Sequence, residues 1–163
     1  MSIRKINLSL AIFLSLLFLL SCESSDICTE NIDAPVRFGF YDSENNDEVV
    51  TIDSLSIFGI GHEDSLIYNN SKNVSRVELP LRIANDTTTF VFIFPEKTDT
   101  IEVIYDRKVT LISVGCGFTT FYNLNKINHT ENEIISIITE EKEVINNLNE
   151  HIKIFVPFTP DIE

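Results

Sequence analysis

The sequence predicts an all-β domain, an antiparallel β-sandwich of about nine or ten short strands. Three observations predict it. Beyond residue 35, apolar and polar residues alternate with the period of two that a half-buried strand requires. Clusters of turn-forming residues interrupt these runs about every ten residues. No βαβ rhythm of helical runs alternating with strands is present.

The elements follow in order. Val36, Phe38 and Phe40 alternate with Arg37, Gly39 and Tyr41. Val49 to Ile60 repeats the pattern around Leu55 and Ile57, and Val77, Leu79 and Leu81 alternate with Arg76, Glu78 and Pro80. Pro80 lacks an N–H to donate, so it places its strand at an edge or marks its end. Thr89 to Phe94 (TFVFIF) is apolar at nearly every position, as expected of a central strand covered on both faces. Ile101, Val103 and Tyr105 form a further strand, then Val109, Leu111 and Ser113, Phe118 to Ile127, Glu133 to Thr139, and His151 to Phe158. Turn chemistry separates them: DSENNDE at 42–48, NNSKN at 69–73, AND at 84–86 and EKTD at 96–99. Thr139 to Asn149 (TEEKEVINNLN) is the one stretch with helical character, kept short by its paired asparagines.

Twelve basic and 25 acidic residues give the chain a net charge of −13. A surface that negative repels phosphate backbones, so a nucleic-acid partner is not expected. Hydrophobic residues make up 44% of the chain and ten of its twelve Phe lie beyond residue 21, so a packed core forms rather than a disordered coil.

Arg4 and Lys5 precede an apolar run from Ile6 to Leu20, broken only by Asn7, Ser9 and Ser15. At 15 residues it is shorter than the roughly 20 a spanning helix needs, so it reads as the core of a signal peptide. The run ends in Leu19-Leu20-Ser21-Cys22, which resembles the lipobox of bacterial lipoproteins. That resemblance implies cleavage after Ser21 and acylation of Cys22: residues 1–21 are the signal peptide, 22–34 a lipidated tether and 35–163 the β-sandwich domain. Ser21 is small enough for a scissile position, and only a thiol takes a thioether-linked lipid. The alternative is an uncleaved anchor or a plain secretory signal with a coincidental Cys.

Once Cys22 carries lipid, Cys28 and Cys116 remain, an even pair in an exported chain where disulfides persist. Cys28 precedes the first strand, and Cys116 lies between Gly115 and Gly117, where another backbone can approach closely. A disulfide is expected, the alternative being a buried Cys116 and an exposed free Cys28. No C-x-x-C and no Cys/His pair at zinc spacing occurs, so no metal and no cofactor is expected.

Catalytic chemistry is hard to find. G-x-S-x-G is absent, as are a Walker loop and G-x-G-x-x-G. His62, in Gly61-His62-Glu63-Asp64, has the neighbours of a general base but equally those of a solvated turn; His129 and His151 have no partner visible in sequence. Asp42, Glu44, Asn46, Asp47 and Asp53 partly imitate a calcium loop, but Asp47 stands where glycine is required and the flanks are β, so a polar hairpin turn is the simpler account. There is no Trp, and Tyr41, Tyr68, Tyr105 and Tyr122 are the residues able to stack on sugar rings. Asp53-Ser54-Leu55, Asp64-Ser65-Leu66, Asp86-Thr87-Thr88 and Asp99-Thr100-Ile101 each resemble the O-glycosylation acceptor of Bacteroidota, making Ser54, Ser65, Thr87 and Thr100 candidate sites; Asp-Ser and Asp-Thr are also ordinary exits from turns.

The lipobox, the Cys six residues on, and the blocks Phe38-Gly39-Phe40-Tyr41-Asp42, Asp53-Ser54-Leu55-Ser56-Ile57-Phe58-Gly59-Ile60-Gly61, Leu79-Pro80-Leu81, Cys116-Gly117-Phe118-Thr119-Thr120 and Glu150-His151-Ile152-Lys153-Ile154 together resemble a family of small Bacteroidota lipoproteins classed as a domain of unknown function. The resemblance implies an envelope location and a β fold, and brings no activity with it. The expectation is therefore a non-enzymatic envelope protein, attached through its lipid to the periplasmic face of the outer membrane, that binds a protein partner or fills a structural role. The alternative is a binding module for glycan or calcium.

Overall fold

A computed structural model of the chain describes residues 27–45 and 48–157. The expected signal peptide and Cys22 lie outside them. Ten strands follow in order: β1 (Val36–Asp42), β2 (Leu55–Gly59), β3 (Tyr68–Ser71), β4 (Arg76–Leu79), β5 (Thr87–Ile93), β6 (Thr98–Ser113), β7 (Gly117–His129), β8 (Ser136–Thr139), β9 (Glu143–Val144) and β10 (Ile152–Val156). They form a four-stranded sheet, β4-β1-β10-β8, and a six-stranded sheet, β3-β2-β5-β6-β7-β9. The all-β expectation and the strand count are both met.

The core lies between the sheets because the alternating residues of each turn one set inward. Val36, Phe38 and Phe40 of β1 and Ile152, Ile154 and Val156 of β10 face Leu55, Ile57, Phe90, Phe92, Ile101, Val103 and Leu124 of the larger sheet. The Phe38 ring meets Phe92 edge-on at 5.9 Å between centroids, and Phe40 meets Phe94 at 6.4 Å. Each such pair adds about 1 kcal/mol to the roughly 2–3 kcal/mol gained by burying each ring.

The structure corrects several details. β1 and β10 run parallel, with Phe38 opposite Ile152 and Phe40 opposite Ile154, so the smaller sheet is mixed rather than purely antiparallel. A parallel pair needs a long connection, and here β2 to β9 supply it. Residues 139–149 form no helix; they hold the end of β8, the two residues of β9 and turns. β5 lies within its sheet, but only Thr88, Phe90 and Phe92 are fully buried, and Ile93 is exposed, so one face is covered, not two. β1, read as half-buried from its alternation, is buried at all seven positions. Val49 to Ile60 shortens to β2 plus isolated bridges at Val49 and Ile52, and the NNSKN turn is partly β3. The edge reading of Pro80 holds: it follows the last residue of β4, an edge strand.

β6 is one strand of 16 residues where two were expected. With β7 it forms a hairpin whose far half outruns the core. Tyr105 and Tyr122 are the last buried residues; from Asp106 to Phe121 none is buried. At about 3.4 Å per residue this arm projects roughly 25 Å.

Candidate functional site

Two arrangements stand on either side of β1. The first lies where the N-terminal tether meets the arm. Cys28 and Cys116 form a disulfide, with their Cα atoms 4.5 Å apart, so the tether is bonded to the turn at the arm's tip. Thr119 Oγ1 donates to the Ile32 carbonyl at 2.7 Å, and Asn146 Nδ2 to the Asn31 carbonyl at 2.9 Å. The tether, β4 and β7 enclose a cleft of about 430 Å³, lined by Ile32, Asp33, Arg37, Glu78, Ile83 and Tyr122 among others. Arg37 is buried and fully engaged: its Nε donates to Glu78 Oε1 at 2.9 Å and its Nη1 to the Asn147 carbonyl. The cleft thus has a charge-paired floor and no free cation on Arg37 to draw an anion.

The second arrangement covers the outer face of β1 and β10. Gly39 has no side chain, and the Glu150 carboxylate occupies the space a Cβ would fill. Tyr41 Oη donates to Glu150 Oε1 at 2.7 Å, Arg76 Nε stands 3.3 Å from Oε2, and Lys153 Nζ sits 5.0 Å from the centre of the Tyr41 ring. Burial, and then the neighbouring Glu150 carboxylate, raise the Tyr41 hydroxyl's pKa. His151 is wholly buried; Nδ1 accepts the Arg37 peptide N–H at 3.0 Å, and burial pushes its pKa down. These groups tie the 147–151 segment over β1, which is why β1 is buried on both faces. It is a structural clamp, closed to solvent at His151.

The residues singled out from sequence are scattered. His62 lies in an exposed turn whose Gly61 N–H donates to Glu63 Oε1 at 2.9 Å, His129 ends β7, and His151 precedes β10; no hydrogen bond joins any two of them. Tyr41, Tyr105 and Tyr122 are buried and Tyr68 is half-buried, its hydroxyl accepting the Glu78 N–H at 3.0 Å, so the tyrosines form no exposed row. Of the calcium-like loop, Asn46 and Asp47 lie outside the described residues. Asp42 is buried with its Oδ1 accepting the Glu44 N–H at 2.9 Å, as a turn uses it. Among the described residues no three His, Cys, Asp or Glu gather as a metal would require.

The four acceptor motifs differ in access. Ser65 is exposed; Ser54, Thr87 and Thr100 are half-buried, and the Ser54 hydroxyl donates to Asn70 Oδ1. Asp99, beside Thr100, is buried, whereas its sequence context reads as a turn and an acceptor motif. Its carboxylate accepts Thr130 Oγ1 at 2.6 Å and the N–H groups of Asn132, Glu133 and Ile134 at 2.9, 2.6 and 3.0 Å. Burial alone would raise its pKa; these four hydrogen bonds outweigh it and hold the carboxyl below the usual range. No local signal distinguishes this Asp from the others in an acidic chain.

Fold and site together define a two-sheet β domain whose N-terminal segment is stapled to a projecting hairpin. A family described as "Family of unknown function (DUF6452)" matches residues 54–156, which is 103 of the 163, and the chain belongs to that family. The match takes in β2 to β10 and leaves out β1, although β1 is bonded to β4 and β10 on its two sides. No curated protein and no solved structure matches the chain.

Proposed function

We propose that this protein is a lipid-anchored component of the cell envelope, attached through Cys22 to the periplasmic face of the outer membrane, that presents an acidic β-sandwich to a protein partner and catalyses no reaction. The observation that carries the reading is the Cys28–Cys116 disulfide. It calls for an oxidising compartment. It also ties the residue six positions after Cys22 to the arm, so that the domain is held to its anchor in one orientation instead of trailing on a loose tether. One acyl chain binds a bilayer only marginally, whereas the two or three of a bacterial lipoprotein hold it stably. The non-enzymatic reading is supported by the backbone N–H groups that donate to His151 Nδ1 and to Asp99, and by the pairing of Arg37 with Glu78.

Metabolic labelling with an alkyne fatty acid tests the anchor. The wild-type chain is expected to take up label and fractionate with outer membranes, and Cys22→Ala to lose both. Undiminished label in Cys22→Ala overturns the reading. A hydrolase screen whose activity is lost in His62→Ala, with the fold intact, would overturn the absence of catalysis.

A further inference from the structure

We propose that the tip of the β6–β7 arm is a lipid-contacting surface, which rests in the headgroup layer of the same bilayer that holds the anchor; this rests on the lipid-anchored reading above. The tip is apolar and unsheltered. Val109 is 68% exposed, Leu111 52%, Val114 89% and Phe118 71%. Leu111 lies directly opposite Phe118 across the hairpin, and Val109 is two residues from Leu111, so all three share one face. This face continues the side of the sheet that carries Tyr105 and Tyr122 inside the core, but here no second sheet covers it. The disulfide adds a fifth apolar side chain, because Ile27, 81% exposed, precedes the cysteine bonded to the turn between Val114 and Phe118.

Two further facts select lipid as the occupant. The first is reach. Cys28 lies six positions after Cys22, and at most about 3.5 Å per residue this holds the tip within about 20 Å of the acylated residue. The second is charge. The chain carries 25 acidic residues, yet none lies between Arg107 and Thr130, a stretch in which Lys108 stands on the arm, Arg107 is paired with Asp86 at 2.7 Å and Lys126 lies opposite Ile104 beside the core. The arm itself thus carries no acid for lipid phosphates to repel, although Asp26 and Glu30 flank the Cys28 bonded to its tip. Exposed apolar side chains beside Lys108 suit an interface in which they sink about 5–10 Å while its ammonium remains among the headgroups.

The chain contains no Trp, so Phe118→Trp introduces a single tryptophan, excited apart from the four Tyr, at the tip, and Glu96→Trp, in the β5–β6 turn at the opposite end of β6, serves as the reference. The full protein is purified from membranes, its acylation is read by intact mass, and it is reconstituted in phosphatidylethanolamine and phosphatidylglycerol vesicles with brominated acyl chains. The expected result is a blue-shifted tip Trp that loses most of its emission to bromine, while the reference Trp keeps its own. Val114→Trp repeats the measurement should Phe118→Trp fail to fold. An acylated protein whose tip Trp is neither shifted nor quenched overturns the contact and leaves the anchor standing. A blue shift without quenching means that a second copy or a protein partner covers the tip, and also overturns it. A chain without acyl mass on Cys22 overturns the anchor, and this inference with it.

Discussion

The peptide N–H of Arg37 donates to Nδ1 of His151 at 3.0 Å, and the N–H of His151 donates back to the carbonyl of Arg37 at 3.1 Å. The pairing holds the imidazole neutral, because a protonated Nδ1 would turn a donor toward a donor. Burial holds its pKa below the ordinary value, the Arg37 charge adds to this, and Glu141 opposes it. In the unfolded chain His151 takes up a proton near pH 6.5. Stability is therefore full above about that pH and falls as the pH drops toward the depressed folded pKa, by up to about 1.4 kcal/mol per unit. Urea unfolding between pH 8 and 5 should show this slope, and His151→Asn, which offers a non-titrating Oδ1 in place of Nδ1, should flatten it.

Gly39 and Glu150 exclude any larger pairing. A Cβ at position 39 would overlap the Glu150 carboxylate and come within 2.9 Å of the Tyr41 ring. Gly39→Ala should cost about 1–3 kcal/mol by expelling that carboxylate, and most of the loss should disappear in a Glu150→Ala background. A double-mutant cycle on unfolding free energies measures the coupling.

Asp99 satisfies three backbone N–H groups that have no other partner in the 130–134 turn. Asp99→Ala should cost about 1–3 kcal/mol, since it leaves the buried Ile134 N–H and the half-buried Glu133 N–H unpaired. With its folded pKa depressed, Asp99 contributes fully above the unfolded carboxyl pKa of about 3.9, and the contribution is lost as the pH falls through the folded value. Acid unfolding of the wild type should therefore be steepest below about pH 4; a midpoint unchanged in Asp99→Asn would contradict the assignment.

The disulfide closes a separation of 88 residues. Replacing both cysteines with alanine should lower stability by up to roughly 4 kcal/mol in the chain-entropy model. The effect should appear as a lower melting temperature, and wild type in reductant should approach the double variant. Mass spectrometry without reductant should find neither thiol free.

Among the four Asp-Ser/Thr motifs, Ser65 presents its hydroxyl most openly. Where the chain is made in a cell with that O-glycosylation, Ser65→Ala should lower the intact mass by one glycan and Thr100→Ala should leave it unchanged. The reverse would mean that modification precedes folding.

The β pattern was legible because burying one face of a strand imposes a period of two that neighbouring residues alone reveal. Phe38 and Phe40, Leu55 and Ile57, and Ile101 and Val103 all lie in the core as their alternation predicts. Cysteine number and the two flanking glycines likewise announced the disulfide, since so few thiols leave little choice of partner. Three features were decided only by the tertiary structure. The parallel pairing of β1 with β10 joins the two ends of the domain, and no local signal carries the direction of a distant neighbour. The burial of Arg37, Gly39 and Tyr41 follows from the 147–151 segment laid across them, so residues that read as a solvent face became an inner one. The projection of Val109, Leu111 and Phe118 past the core is the converse. Their alternation promised burial, but burial needs an opposing sheet, and whether one lies there depends on how far the other strands extend.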